Sequence, residues 1–373
     1  MSTLISEVTT INSIRSHPNA DRLEIATVKG WDCIVPKNKY ETGDKIIYIP
    51  IDAVLTQEFA ELIGVDNYLS KGRVRTIKLR GEYSQGLIID VVHYCNKFME
   101  KNPNATPVFP DQIALGTNVT EMLDITKYEP PLPPVEFRGK MRNRNPFFSK
   151  YISIENIKNF PDIFKEGEEV LISEKLHGTN SRFGIVRNEN DPEVLEFRVG
   201  SHNIDLCETE SNIYWKIARK FDIKKRLISW VDSYNKRLDI FPLPGVEKIK
   251  QFIFYGEIYG PGIQKGMHYG LSEPGIRFFD IEFNGKYLET DQTRLILDSL
   301  NLDYVPVLYE GPWKKELMDL ANGLSTICKD HIREGIVIRP KIQNKSWEHI
   351  KLKKKILKHI SEKYLLKDYG DNH

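Results

Sequence analysis

The chain has 373 residues, 40% of them hydrophobic and 28% charged, which suits two independently folding domains of ordinary globular composition. No apolar run approaches the roughly 18 residues needed to span a bilayer, and Met1 to Thr10 lacks a charged-then-apolar leader, so a cytoplasmic chain without membrane contact is expected. The formal net charge is +1, so any nucleic-acid surface has to come from local clustering. Cys33, Cys95, Cys207 and Cys328 form no Cys-x-x-Cys pair, which argues against a zinc ribbon or a disulfide framework and for a reducing compartment.

Up to about Thr126 the chain reads as all-β with one helical insert. Leu23 to Val28 alternates apolar and polar residues like a half-buried strand. Lys45 to Pro50 and Gly86 to Val91 are short β-branched runs beside turn residues, and such spacing suggests a small barrel. Thr56 to Ile63 is a short helix candidate. Lys71 to Arg80 holds five basic residues in ten, and strand periodicity would put Lys71, Arg73 and Arg75 on one face. That stripe can track phosphates, or it can be a solvated sheet face.

Tyr128 to Lys150 breaks the rhythm. Glu129 to Pro134 favours extended polyproline-like backbone, and Arg138, Lys140, Arg142 and Arg144 follow without apolar periodicity. This reads as an interdomain connection, partly laid over the second domain. The expected division is residues 1–125, a linker over 126–150, and a second domain over 151–373.

From Lys150 onward the pattern is mixed. Strand-like segments are Glu169 to Leu176, Ser181 to Val186, Phe252 to Ile258, Ile276 to Phe283 and Gly335 to Arg339. Helices are expected at Ile213 to Asp222, Thr290 to Leu300 and the lysine-rich Leu352 to Leu366. Antiparallel sheets with peripheral helices, an α+β domain, fit this order.

Five strings carry chemistry. In Glu174-Lys175-Leu176-His177-Gly178-Thr179-Asn180 a strand delivers a lysine and then a glycine suited to a tight turn, which puts an amine at a sheet end. Glu257 interrupts the apolar run Phe254 to Gly260, and Phe278-Phe279-Asp280-Ile281 is a second aromatic strand. Glu334 stands at the entrance to Gly335-Ile336-Val337-Ile338-Arg339, and Lys351-Leu352-Lys353 would set two ammonium groups on one strand face. Singly, each has a plain structural explanation; their order is the signal.

In that order the strings resemble motifs I, III, IIIa, IV and V of the covalent nucleotidyltransferases: ATP-dependent RNA and DNA ligases and capping enzymes. Histidine at position 177, where DNA ligases and capping enzymes usually have aspartate, resembles the nick-sealing RNA ligase branch. His17-Pro18-Asn19-Ala20-Asp21-Arg22-Leu23 and Leu79 to Leu87 look like an OB-fold tRNA-binding module. An OB module ahead of the ligase domain resembles the Deinococcus-type RNA ligases, whereas DNA ligases and capping enzymes carry theirs after motif V. The residues following Lys353 are too few for such a domain.

The resemblance implies Lys175 as the nucleophile that becomes lysyl-AMP, with Glu257 and Glu334 holding Mg2+ (or Mn2+) through water. It implies Lys351 and Lys353 at the α-phosphate, Phe279 stacked on adenine, and Glu174, His177, Gly178 and Asn180 around the nucleotide. Arg198, in a looser match to motif Ia, is either a contact to the AMP ribose or phosphate or a plain strand charge. The implied activity is ATP-dependent sealing of RNA 3′-OH and 5′-phosphate ends at nicks in duplexes, through lysyl-AMP and RNA-adenylate. The resemblance names no protein partner. Two alternatives stay open: a GTP-dependent capping guanylyltransferase, and a non-catalytic RNA- or tRNA-binding protein with a decayed transferase domain.

Overall fold

The computed structural model describes residues 4–128, 141–191, 193–240, 247–342, 348–349 and 352–367. The chain forms two compact units. The first comprises Met1–Pro130, Ile154–Phe164 and Leu365–Lys367; the second comprises Pro131–Ser153, Lys165–Tyr364 and Asp368–His373. Among the described residues no helix is long and apolar enough to cross a membrane, and all four cysteines are free thiols.

The first unit is built from short antiparallel strands. β1 (Glu7–Thr10), β5 (Lys45–Ile49) and β9 (Leu87–Asp90) form one sheet, with β5 in the middle. β2 (Ser13–Ser16), β3 (Leu23–Val28) and β4 (Trp31–Pro36) form a second. β6 (Ala53–Val54) pairs with β10 (Thr126–Lys127), and β7 (Thr76–Leu79) with β8 (Glu82–Gln85). Strand periodicity makes β5 the hinge of the interior: Ile46 and Tyr48 enter one apolar cluster with Val28 and Trp31, whereas Ile47 and Ile49 enter another with Val8 and Phe59. The expected short helix is α1 (Gln57–Leu62), capped by Thr56, and α2 (Val92–Lys101) follows β9.

Two expectations fail in this unit. Lys71 to Arg75 is not a strand: Lys71 has φ 54°, and the ladder begins only at Thr76. Arg73 is buried, its Nη2 lies 2.8 Å from Asp52 Oδ1, and its guanidinium stacks 3.6 Å over the Tyr128 ring, so it is a structural cation rather than part of a phosphate-tracking stripe. The boundary is also more interleaved than expected. Ile154–Phe164 contains β11 (Glu155–Asn156), and there the Lys158 carbonyl accepts from Gly30 N–H (2.8 Å) while Asn159 Oδ1 accepts from Trp31 Nε1 (2.8 Å).

In the second unit, β15 (Asp205–Leu206), β14 (Leu195–Ser201), β13 (Gly178–Arg187), β16 (Gln251–Tyr259), β17 (Gly275–Phe283) and β18 (Lys286–Tyr287) make an antiparallel sheet in that order. A further ladder runs β21 (Leu357–Ile360), β20 (Gly335–Pro340), β12 (Glu169–Lys175), β19 (Val307–Pro312). α3 (Ile213–Lys220), α4 (Ile223–Ile240) and α5 (Thr290–Ser299) cover one face of the first sheet, where Phe252, Phe254 and Ile258 of β16 meet Ile217, Leu227 and Leu297. By the two-residue period Tyr255 and Glu257 face the other way.

Two sequence expectations are corrected here, and one helix was not expected at all. The lysine-rich Leu352 to Leu366 is not one helix; Leu357–Ile360 pairs with β20 before α6 (Glu362–Leu365), because Ile356, Leu357 and Ile360 are buried by a sheet that sequence alone does not display. The 18-residue α4 has no counterpart in the sequence reading. Residues 141–150, read as linker, lie inside the second unit: Asn145 and Phe148 are buried, and Asn145 Nδ2 donates to the Arg187 carbonyl (2.8 Å). Glu129 to Pro134, Arg138 and Lys140 lie outside the described residues.

Candidate active site

β12 ends at Lys175, opposite Gly335 at the start of β20, and this register brings Glu334 alongside the lysine. Nζ donates to Glu334 Oε1 at 2.6 Å; Glu334 is buried, whereas the Lys175 side chain keeps 27% exposure and so remains reachable. Glu257 joins from β16, where it pairs with Asn180 of β13. Gly178 is required by close approach: a Cβ there would run into the Ile258 carbonyl and stand 2.9 Å from Glu257 Cγ. The expected tight turn is therefore not its reason; Gly178 opens β13 opposite Tyr259, where no side chain fits.

Electrostatics follow from the trio. Burial pulls the Lys175 ammonium down, but the Glu334 and Glu257 carboxylates and the Glu334 hydrogen bond outweigh it and hold its pKa above the ordinary lysine value. Burial, reinforced by Glu334, pushes Glu257 up to about 8 against the lowering effect of Lys175. Without further cations this site keeps the amine protonated.

Several buried acceptors lack a hydrogen-bond partner among the described residues: Glu334 Oε2, Asn180 Oδ1 and Glu174 Oε1. Among the described residues no group of three or more His, Cys, Asp or Glu gathers into a metal cluster. Two acids with an open acceptor suit a hydrated divalent cation, which needs few direct protein ligands. Glu174 Oε2 accepts from Thr326 N (2.8 Å) and Thr326 Oγ1 (2.5 Å), so this side chain anchors the 326 loop.

His177 is fully enclosed. Its backbone N–H donates to Tyr269 Oη (2.8 Å), and its Nδ1 lies 2.7 Å from the Tyr364 hydroxyl and 3.9 Å from Glu334 Oε2. Phe279 is the bulge residue of β17, left without a ladder partner where the register shifts between Tyr255 and Gly256. It packs beside Leu176, Tyr259 and Met267, and its ring meets Tyr151 edge-on at 4.9 Å.

Arg198 does not join this group. Its Nε donates to Glu196 Oε1 (2.8 Å), Nη1 to the Asn143 carbonyl (2.7 Å), and Asp205 lies 3.6 Å away, so a buried structural network accounts for it. Lys353 is exposed in a bend rather than on a strand, and Lys351 lies outside the described residues. Sequence reasoning missed Tyr364 and Tyr269, which reach His177 from distant segments with no motif to mark them.

Comparison with known proteins agrees with this architecture. The chain is similar to Naegleria gruberi RNA ligase solved with PPi, at TM-score 0.73 and 24% identity over 97% of this chain and 98% of that one. Mutants of the same enzyme, one with ATP and Mn (TM-score 0.73) and one with AMP and Mn (TM-score 0.72), match at 24% identity over the same shares. This likeness establishes the fold. An OB-fold domain model matches residues 5–91, which identifies the barrel of the first unit. The model of the RNA ligase family matches residues 168–360, more than half of the chain and all of the Lys175, Glu257 and Glu334 constellation, and the chain belongs to that family.

Proposed function

We propose that this chain is an ATP-dependent RNA ligase that seals 3′-OH and 5′-phosphate RNA ends at nicks in duplexes, through lysyl-AMP and RNA-adenylate intermediates. The observation that carries the reading is the Lys175 amine, reachable at a strand end and flanked by the buried Glu334 and the half-buried Glu257. The amine attacks the α-phosphate of ATP, a nitrogen–phosphorus bond forms, and pyrophosphate leaves. AMP then passes to the RNA 5′-phosphate, and the 3′-hydroxyl displaces it.

Mg2+ or Mn2+, held by Glu257 and Glu334, would supply positive charge that offsets the two carboxylates. With their pull offset, burial is the dominant influence on Lys175, and burial favours the neutral, nucleophilic amine. Glu334 orients Nζ by the 2.6 Å hydrogen bond. Phe279 offers a ring for adenine, and Asn180 offers an unpaired buried amide oxygen toward the nucleotide. Lys351 and Lys353 remain proposed phosphate contacts. Relatives solved with ATP, AMP and Mn support this choice of nucleotide and metal.

Incubation with labelled ATP and magnesium should leave acid-stable AMP on the protein, and Lys175→Ala should take none. Label from GTP instead would assign the chain to capping; no label from either would favour a binding protein. A sealing assay on nicked duplex against free single strands tests the substrate. Because Ile154–Phe164 belongs to the first unit, removing residues 1–125 alone uncovers the buried Ile157, and the test of that unit needs this position made polar as well.

A further inference from the structure

Beyond β21 the chain closes on the site from behind. Ile360 pairs with Gly335, and a Cβ at Gly335 would run into the His359 carbonyl, so strand and corner touch without side chains between them. Ser361 N–H then donates to the Glu334 carbonyl (2.9 Å), and Ser361 Oγ donates to Asn322 Oδ1 (3.0 Å). Three residues later Tyr364, fully buried, brings its hydroxyl to 2.7 Å from His177 Nδ1, with the rings edge-to-face at 5.4 Å. Glu334 Oε2 stands 3.9 Å from that same Nδ1, beyond hydrogen-bond reach, and has no hydrogen-bond partner among the described residues.

We propose that Tyr364 is a positioning residue for adenylyl transfer: its hydroxyl donates to His177 Nδ1 and holds the imidazole off Glu334, keeping Oε2 open. The inference rests on the ligase reading above. A neutral imidazole that accepts at Nδ1 carries its proton on Nε2 and has nothing to donate to Glu334. Take the hydroxyl away and the balance reverses. A buried carboxylate oxygen without a partner is costly, so the Nδ1–H form bonded to Oε2 becomes the better arrangement. Glu334 would then be shared between His177 and Lys175, and its one open acceptor would be lost. Ser361 and Tyr364 thus fix, respectively, the backbone and the side-chain surroundings of the same acid.

The test uses the full chain as Tyr364→Phe, His177→Ala and the double variant. Single-turnover self-adenylylation should slow about tenfold in Tyr364→Phe at saturating ATP, with half-saturating ATP within about twofold of wild type. The double variant should be no slower than His177→Ala, because the tyrosine acts through the histidine. Nitrogen-15 NMR of the imidazole should place the proton on Nε2 in the wild type and on Nδ1 in Tyr364→Phe. An Nδ1 proton in the wild type, an unchanged tautomer in the variant, or fully additive losses in the double variant would each overturn the proposal. If the wild type takes no label from ATP, the ligase reading falls, and the NMR arm still decides the Tyr364–His177 arrangement.

Discussion

Replacing Glu334 by Gln should make Lys175 easier to deprotonate and, at the same time, a poorer enzyme. The carboxylate accepts from Nζ at 2.6 Å inside the unit, and a hydrogen bond to a charged group contributes about 1.5–3 kcal/mol. Its loss should therefore move the Lys175 titration down, toward the side that burial favours. The gross attraction is larger, about 6 kcal/mol at an effective dielectric constant of ~20. Burial, already opposing the charge, would then act against Glu257 alone. Acetylation of the free protein at graded pH, read at the Lys175 peptide by mass spectrometry, gives the midpoint directly. AMP transfer should nonetheless fall, because Glu334 also orients the amine and is half of the proposed metal-holding pair. A midpoint that is unchanged or raised in Glu334→Gln would refute the electrostatic account of the site.

Glu257 gives a pH prediction with a definite sign. Its carboxyl, at 4.5 when unperturbed, sits at about 8 in the fold, so between those values the native chain holds a proton that the unfolded chain releases. Without metal, stability should decline as pH rises from about 5 through 8, and Glu257→Gln should flatten the decline in thermal melts at stepped pH. Gly178→Ala forces a methyl against the Ile258 carbonyl and Glu257; overpacking of ~1–3 kcal/mol should lower Tm by about 2–12 °C and abolish AMP labelling. Arg182 is buried, donating to the Phe148, Ser149 and Ser201 carbonyls and, at 2.8 Å, to Asp205 Oδ1. Arg182→Met strands those acceptors at a cost of ~3–5 kcal/mol, a drop of about 6–20 °C by calorimetry; a melt within 2 °C of wild type would contradict it.

The chemistry-bearing strings were legible because they are local. Lys175 ends a strand, Glu257 breaks an apolar run on the face opposite the helices, and Glu334 precedes a strand; each follows from the two-residue period of an extended chain. What long-range contact decides was not legible. Arg198 has the charge of a phosphate contact, yet Glu196 and Asp205 claim it once β14 and β15 pair. Lys71 to Arg75 has strand-like alternation, yet Asp52 and Tyr128 draw Arg73 inside.

Sequence alone therefore determined the antiparallel strand framework and where Lys175, Glu257 and Glu334 stand along it, because periodicity and residue chemistry act within a few positions of each other. Only the tertiary structure decided that Gly178 serves close strand packing, that the lysine-rich stretch yields Leu357–Ile360 to a sheet, and that Tyr364 reaches His177 across 187 positions. Those outcomes depend on partners brought near by folding itself, whose burial outweighs the small local preferences that a linear reading can weigh.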